Sequence, residues 1–314
     1  YTTLFRSAIM KKYRLSDETR SVQIGEPGAR ESVVVRQIIA LQDFADVSAG
    51  SLGGWVENEL SLSHDGECWI YDQNSLVYAG ARVTENARIT QPCEISHQAE
   101  VGGNAWVQAS RISHYARVNG DAAVHDSQVH GHCHLFGYAY IAEQSQIVGA
   151  RGLTADSEQL LQIYDAAQLR HCRVVHQAQI FGKAMLIHAF VEHRAEIFDS
   201  ARLDGNEENN IWVCDCAKVY GNARIIAGRG EDEIPTIRYS SQVAEHAVVE
   251  GNCVLKHHVM VGGNARLQGG PILLDDHVLI QGDARVIGDV LIEYHIDITD
   301  SVVVEALPGE AIHL

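Results

Sequence analysis

Val77-Tyr78-Ala79-Gly80-Ala81-Arg82-Val83-Thr84-Glu85-Asn86-Ala87-Arg88-Ile89 opens the stretch, ending at Ile147, that decides the fold. Its aliphatic landmarks fall at Val77, Val83, Ile89, Ile95, Val101, Val107, Ile112, Val118, Val124, Val129, Leu135, Ile141 and Ile147. Ten of the twelve steps are six residues and two are five, a period that suits neither a helix nor a long alternating strand. Two places before each landmark after the first stands Ala, Ser or Cys, without exception. Three such steps make one flat-sided turn in which each side is a short strand with its aliphatic residue inward, and the small residue lets the backbone bend.

Corner chemistry agrees. Stacking by turns aligns Glu85-Asn86, Gly103-Asn104, Gly120-Asp121 and Gly137-Tyr138, mostly residue types that accept positive φ at low cost. Gly102-Gly103-Asn104 and Gly262-Gly263-Asn264 therefore read as corners, since no helix follows them to complete a phosphate loop. The five-residue steps Val107 to Ile112 and Val124 to Val129 lie one turn apart, so register survives them.

These are hexapeptide repeats, and the chain resembles the hexapeptide-repeat transferase family. That resemblance implies an all-β fold, a single-stranded left-handed parallel β-helix. It supplies the hand, because the usual rule for parallel crossovers gives the opposite one. We expect a tail and β cap over residues 1–40, with 1–12 patternless and a hairpin covering the open end of the coil. The β-helix should run over 41–304, with extruded loops near 149–166 (including a short helix at Ser157–Leu161), 204–210, 226–239 and 268–275, and a tail over 305–314. About a dozen turns give a rod of roughly 60 Å.

A formal charge of −17, with no Lys/Arg-rich run, excludes nucleic acid and anionic membrane as main partners. Five of the seven cysteines (Cys68, Cys93, Cys133, Cys172, Cys253) occupy the small inward slot and read as core. Cys214 and Cys216 flank Asp215 too tightly for an ordinary zinc pair. With no signal peptide or long apolar run, a reducing cytoplasm is the expected setting.

A smooth coil has no pocket of its own, so chemistry belongs to loops, corners and grooves between rods. Seventeen histidines are the candidate reagents. His125-Asp126-Ser127-x-Val129 resembles the His-Asp-Cys-x-Val turn of the sugar-nucleotide acyltransferases of lipid A synthesis. Carried over, His125 is the general base and Asp126 orients its imidazolium. Ser127 departs from that family's cysteine, His130 displaces its glycine, and Asp121-Ala122 stands near its upstream histidine. His97 and His114 stack one turn apart, and with His130 and His134 they are candidate substrate contacts. His257-His258 beside Lys256 reads as surface. Arg229 and Arg238, in the 226–239 loop, are candidates for the phosphates of coenzyme A.

The resemblance further implies acetyl-CoA as co-substrate, a small hydroxyl or amine acceptor, and a homo-oligomer, commonly a trimer of parallel rods. No resident metal is expected. Two alternatives stand beside this reading. One is a non-catalytic structural rod. The other is a zinc enzyme, since the spacing of His125 and His130 is similar to the paired zinc histidines of gamma-class carbonic anhydrases.

Overall fold

The computed structural model describes residues 10–151 and 159–314. Among them every regular element is a strand, and they wind into a parallel β-solenoid of about fourteen turns, roughly 65 Å long at one strand spacing per turn. No helix among the described residues is long and apolar enough to cross a membrane.

Each turn contributes one short strand to each of three faces. Trp106–Gln108, Ala123–His125 and Tyr140–Ala142 pair on the first face. Arg111–Ser113, Gln128–Gly131 and Gln146–Gly149 pair on the second, and Arg117–Val118, Cys133–Leu135 and Leu161–Ile163 on the third. Register is strict: Val107 lies over Val124, Ile112 over Val129, and Val118 over Leu135. The landmark aliphatics from Val77 to Ile147 are all fully buried. Their burial, about 1.5 to 3 kcal/mol for each larger side chain, drives the winding. The five inward cysteines are buried free thiols, and burial pushes Cys133, Cys172 and Cys253 up to about 12.

The first two faces merge into a 27-stranded sheet because two long strands, Val248–Lys256 and Arg266–Asp275, run through the corner between them. The third face is a separate sheet of 12 strands. The corner from third to first face carries the expected column, with φ of 57° at Glu85, 57° at Gly103, 62° at Gly120 and 61° at Gly137. A Cβ on Gly120 would stand 2.8 Å from the Gly137 nitrogen, so that position favours glycine for closeness as well as for φ, whereas Glu85 shows that the column also accepts a side chain.

At the N-terminus β1 (Tyr13–Ile24) and β2 (Glu31–Ala40) form the expected antiparallel hairpin. β2 then pairs antiparallel with β3 (Leu52–Val56), the first strand of the second face, and so occupies its open edge. The expected tail is shorter than 1–12. Lys12 is buried with its ammonium donating to the carbonyls of Gly66 and Cys68, and the Tyr13 hydroxyl donates to the Leu62 carbonyl.

Several expected loops are also shorter than their sequences suggest. Leu161–Ile163 and Thr236–Ile237 are paired strands inside the stretches read as 149–166 and 226–239. Residues 152–158 lie outside the described part, and with them the start of the expected short helix. The stretch 268–275 is no loop: Ile272 to Asp275 pair in register with Cys253 to Lys256. The tail 305–314 also continues the coil, with Ile312–His313 pairing onto Val290–Glu293. In each case a cross-coil ladder captured residues whose Gly, Pro or charged neighbours masked the pattern.

Ile141 fills the centre of this stack. Ile141→Ala is expected to cost roughly 2 to 5 kcal/mol through lost burial and a cavity no neighbour fills. Urea unfolding of the full chain measures it, and a loss under about 1 kcal/mol would mean the interior is not close-packed there.

Candidate functional site

In-register coils line up outward side chains as strictly as inward ones. On the second face Glu94, Arg111, Gln128 and Gln146 stand over one another, followed by Arg173, Phe190 and Trp212. Three cavities open along this face and share Gln146 as a common wall, so together they form one trough.

The first part, about 630 Å³, lies at the corner where the first face turns into the second, among Ser110, Arg111, Asp126, Ser127 and Gln144. The second, about 380 Å³, lies at the opposite edge, among Tyr78, Glu94, His97, His114 and His130. The third, about 400 Å³, lies further along, among His171, Arg173, Phe190, Asn210, Trp212 and Ile234.

The histidine edge has the densest chemistry. His97 and His114 occupy corner positions with φ of 51° and 54°, a region where His, Asn and Asp are the favoured non-glycine residues. Their rings stack 4.4 Å apart at 6°, and His130 follows at 4.4 Å, tilted by 42°. Serines orient the outer two, one from the preceding residue and one from the neighbouring coil: Ser96 Oγ is 2.9 Å from His97 Nδ1 and Ser113 Oγ is 3.0 Å from His130 Nδ1. His114 is exposed at the rim, and partial desolvation, then the neighbouring His130 and His97, lower its pKa from the ordinary imidazole value. Tyr78 donates to Glu94, which also pairs with Arg111 at 3.3 Å. One edge of the trough therefore offers an imidazole of lowered pKa, two serine-held imidazoles and a guanidinium.

The other sequence candidates are dispersed. His125 ends a first-face strand with its ring between Trp106 (4.5 Å, 73°) and Tyr140 (5.4 Å, 86°). Its Nε2 is buried without a hydrogen-bond partner, and burial lowers its pKa. Asp126 lines the largest cavity at a corner φ of 46°, and among the described residues no hydrogen bond joins its carboxylate to His125. His134 lies on the third face, bonded to Asn119 at 2.9 Å and packed on Phe136. Arg238 lies over the rings of Trp212 (5.1 Å) and Tyr239 (4.3 Å), with Asp215 3.4 Å away. Arg229 is exposed in a loop whose carbonyls, Gly228 and Gly230, are held by Asn209.

Further histidines stack like His97 and His114, among them His171 with His188 at 4.5 Å and His176 with His193 at 4.9 Å. The 17-residue spacing within these two pairs, one coil, is the sequence signal that marks them. Two groups among the described residues bring three metal-type donors within 4.8 Å of one another, His176/Glu192/His193 and Asp276/His277/His295. Neither contains His125 or His130. Cys214 is buried and Cys216 exposed, both at the corner that follows Ile211–Val213.

No family model matches the chain. A protein of Escherichia coli (strain K12) described as "Uncharacterized acetyltransferase YdcK" is 54% identical over 305 residues, covering 97% of this chain and 94% of the relative.

The depressed imidazoles make a pH test. His134 is lowered to about 4, by burial first and then by Arg117. A group that holds its proton less tightly when folded adds stability above its unfolded pKa, near 6.5, and that stability is lost as pH falls toward the folded value. Urea midpoints should therefore fall between pH 6.5 and about 4, less steeply in His134→Gln. Identical slopes in the two proteins would show that His134 titrates alike folded and unfolded.

Proposed function

The chain belongs to the family of the Escherichia coli acetyltransferase YdcK, and on that premise we propose that it transfers an acetyl group from acetyl-CoA to a small hydroxyl or amine acceptor held in the second-face trough. The observation that carries this reading is His114 standing between His97 and His130 beside Arg111.

In this mechanism His114 takes the proton of the acceptor as its oxygen or nitrogen attacks the thioester carbonyl. Arg111 and the Gln128 carboxamide face the developing oxyanion. Collapse expels the coenzyme A thiolate, which recovers the proton from the His114 imidazolium. His97 and His130, held by Ser96 and Ser113, position the acceptor. We place the base at His114 rather than at His125, because the Nε2 of His125 is closed off and its ring is wedged between two aromatics. Asp126 then serves as a polar wall of the acceptor cavity.

The nucleotide end of acetyl-CoA fits the far part of the trough. Phe190 and Trp212 lie nearly parallel, with Arg173 over the first and Arg238 over the second, an aromatic floor with two cations for adenine and phosphates. From the His114 strand to the Phe190 strand is four coils, about 19 Å at the spacing of paired strands, a span suited to the extended pantetheine arm. Arg229 contributes from the loop rim. A left-handed coil and a trimer of parallel rods complete the proposal, since the trough is open on one side and a neighbouring rod would close it. Seven free thiols suit a reducing cytoplasm.

Coenzyme A release from acetyl-CoA, measured against a panel of amines and sugars, tests the reading. His114→Ala is expected to lower turnover about 10²- to 10⁴-fold, and His125→Phe to change it only a few-fold. The reverse pattern would return the base to His125. No release, together with no thermal shift at millimolar acetyl-CoA, would favour the structural rod.

Trp212→Ala should raise the KM for acetyl-CoA while leaving kcat within a few-fold, because it removes binding remote from the reacting carbonyl. An unchanged KM would place the nucleotide elsewhere.

A further inference from the structure

In the last coils the corner from second to third face stacks three left-handed dipeptides: His257-His258, Asp276-His277 and Tyr294-His295. Their second members form a column of exposed imidazoles. His277 lies 4.9 Å from His258 and 4.7 Å from His295. Asp276 Oδ1 is 2.7 Å from His277 Nδ1, and one donor atom each from Asp276, His277 and His295 lie within 4.8 Å of one another.

We propose that Asp276, His277 and His295 bind a divalent transition cation of the zinc class and that it clamps the final coils of the rod. Two imidazoles and a carboxylate are a borderline donor set with positions left for water or for His258. Bonds near 2.0 to 2.2 Å require the three donors to close by roughly an ångström. His277 and His295 are exposed, so rotation of their rings costs only their stacking within the column. No resident cation competes: Lys256 pairs with Asp275 rather than Asp276.

The comparable cluster His176/Glu192/His193 is already committed. Its two Nδ1 atoms accept the backbone N–H groups of His193 and Asp215, each at 3.3 Å, and Glu192 accepts from Trp212 Nε1 at 2.8 Å. At the C-terminal cluster the Asp276 carboxylate has His277 as its bonded partner, and a metal would replace the shared proton. Because Asp276 and His295 belong to successive coils, the ion would cross-link them near the end of the solenoid, where a repeat array frays first.

The test uses the full chain stripped with a chelator and then titrated with Zn²⁺ by calorimetry and with Co²⁺ by absorption. We expect one ion per chain, ligand-field bands with cobalt, and a rise in Tm with zinc. The double variant His277→Ala/His295→Ala should lose the ion and the Tm rise while keeping the wild-type circular dichroism and metal-free Tm. His176→Ala should keep both. No ion on the wild type at zinc well above the protein concentration, unchanged binding in the double variant, or loss in His176→Ala would each overturn the proposal. None of these readouts depends on acetyl transfer.

Discussion

The parallel hydrogen-bond ladder between successive coils is the constraint on which everything else rests. It sets each residue directly over its equivalent one turn earlier, at a spacing near 4.8 Å. Inward, this yields an unbroken stack of buried Val, Ile and Leu with Ala, Ser or Cys at the bends. Outward, it yields equally regular columns of polar and aromatic groups, including the parallel rings of Tyr164, Phe181, Phe198 and Tyr220 on the third face. A residue type repeated at the coil period thus becomes a surface feature, and the histidines are the chief example. The corner from second to third face demands left-handed backbone, histidine tolerates it, and stacked imidazoles follow. Most of those columns are consequences of geometry. The His97–His114–His130 edge differs in its serine partners and in placing three imidazoles beside Arg111 in the trough.

The repeat from Val77 to Ile147 was legible because its period matches neither competing structure, and residues such as Val107 and Ile112 could be given an inward direction directly. The hairpin was legible too, from two β-rich runs around a Gly- and Pro-containing turn. The pieces that escaped were those whose pairing is decided by a distant coil. Thr236–Ile237 lies between a loop rich in acids and an arginine, and Ile272 follows Gly270-Pro271, so neither shows a local pattern. Lys12 carries no signal for burial, since only the carbonyls of Gly66 and Cys68 make its ammonium tolerable inside.

The site was partly legible. His97 over His114 followed from their spacing, and Arg82, Glu100, Arg117 and His134 lined up on the third face as their register implies. Extending the same arithmetic to Glu94, Arg111, Gln128 and Gln146 would have outlined the trough, because it is built from outward positions of consecutive turns. The placement of His125 was not legible. Its five-residue motif fits a general base, but its environment is set by Trp106 and Tyr140, one coil below and one above.

We propose that chemistry in this rod runs along one outer face, between the histidine edge and the Phe190–Trp212 floor. A crystal structure of the chain with coenzyme A tests it most directly. Ligand density is expected along the second face, with sulfur near His114 and adenine against Trp212. Density on the third face beside Phe136 and Tyr164, or at the ends of the coil, would contradict it.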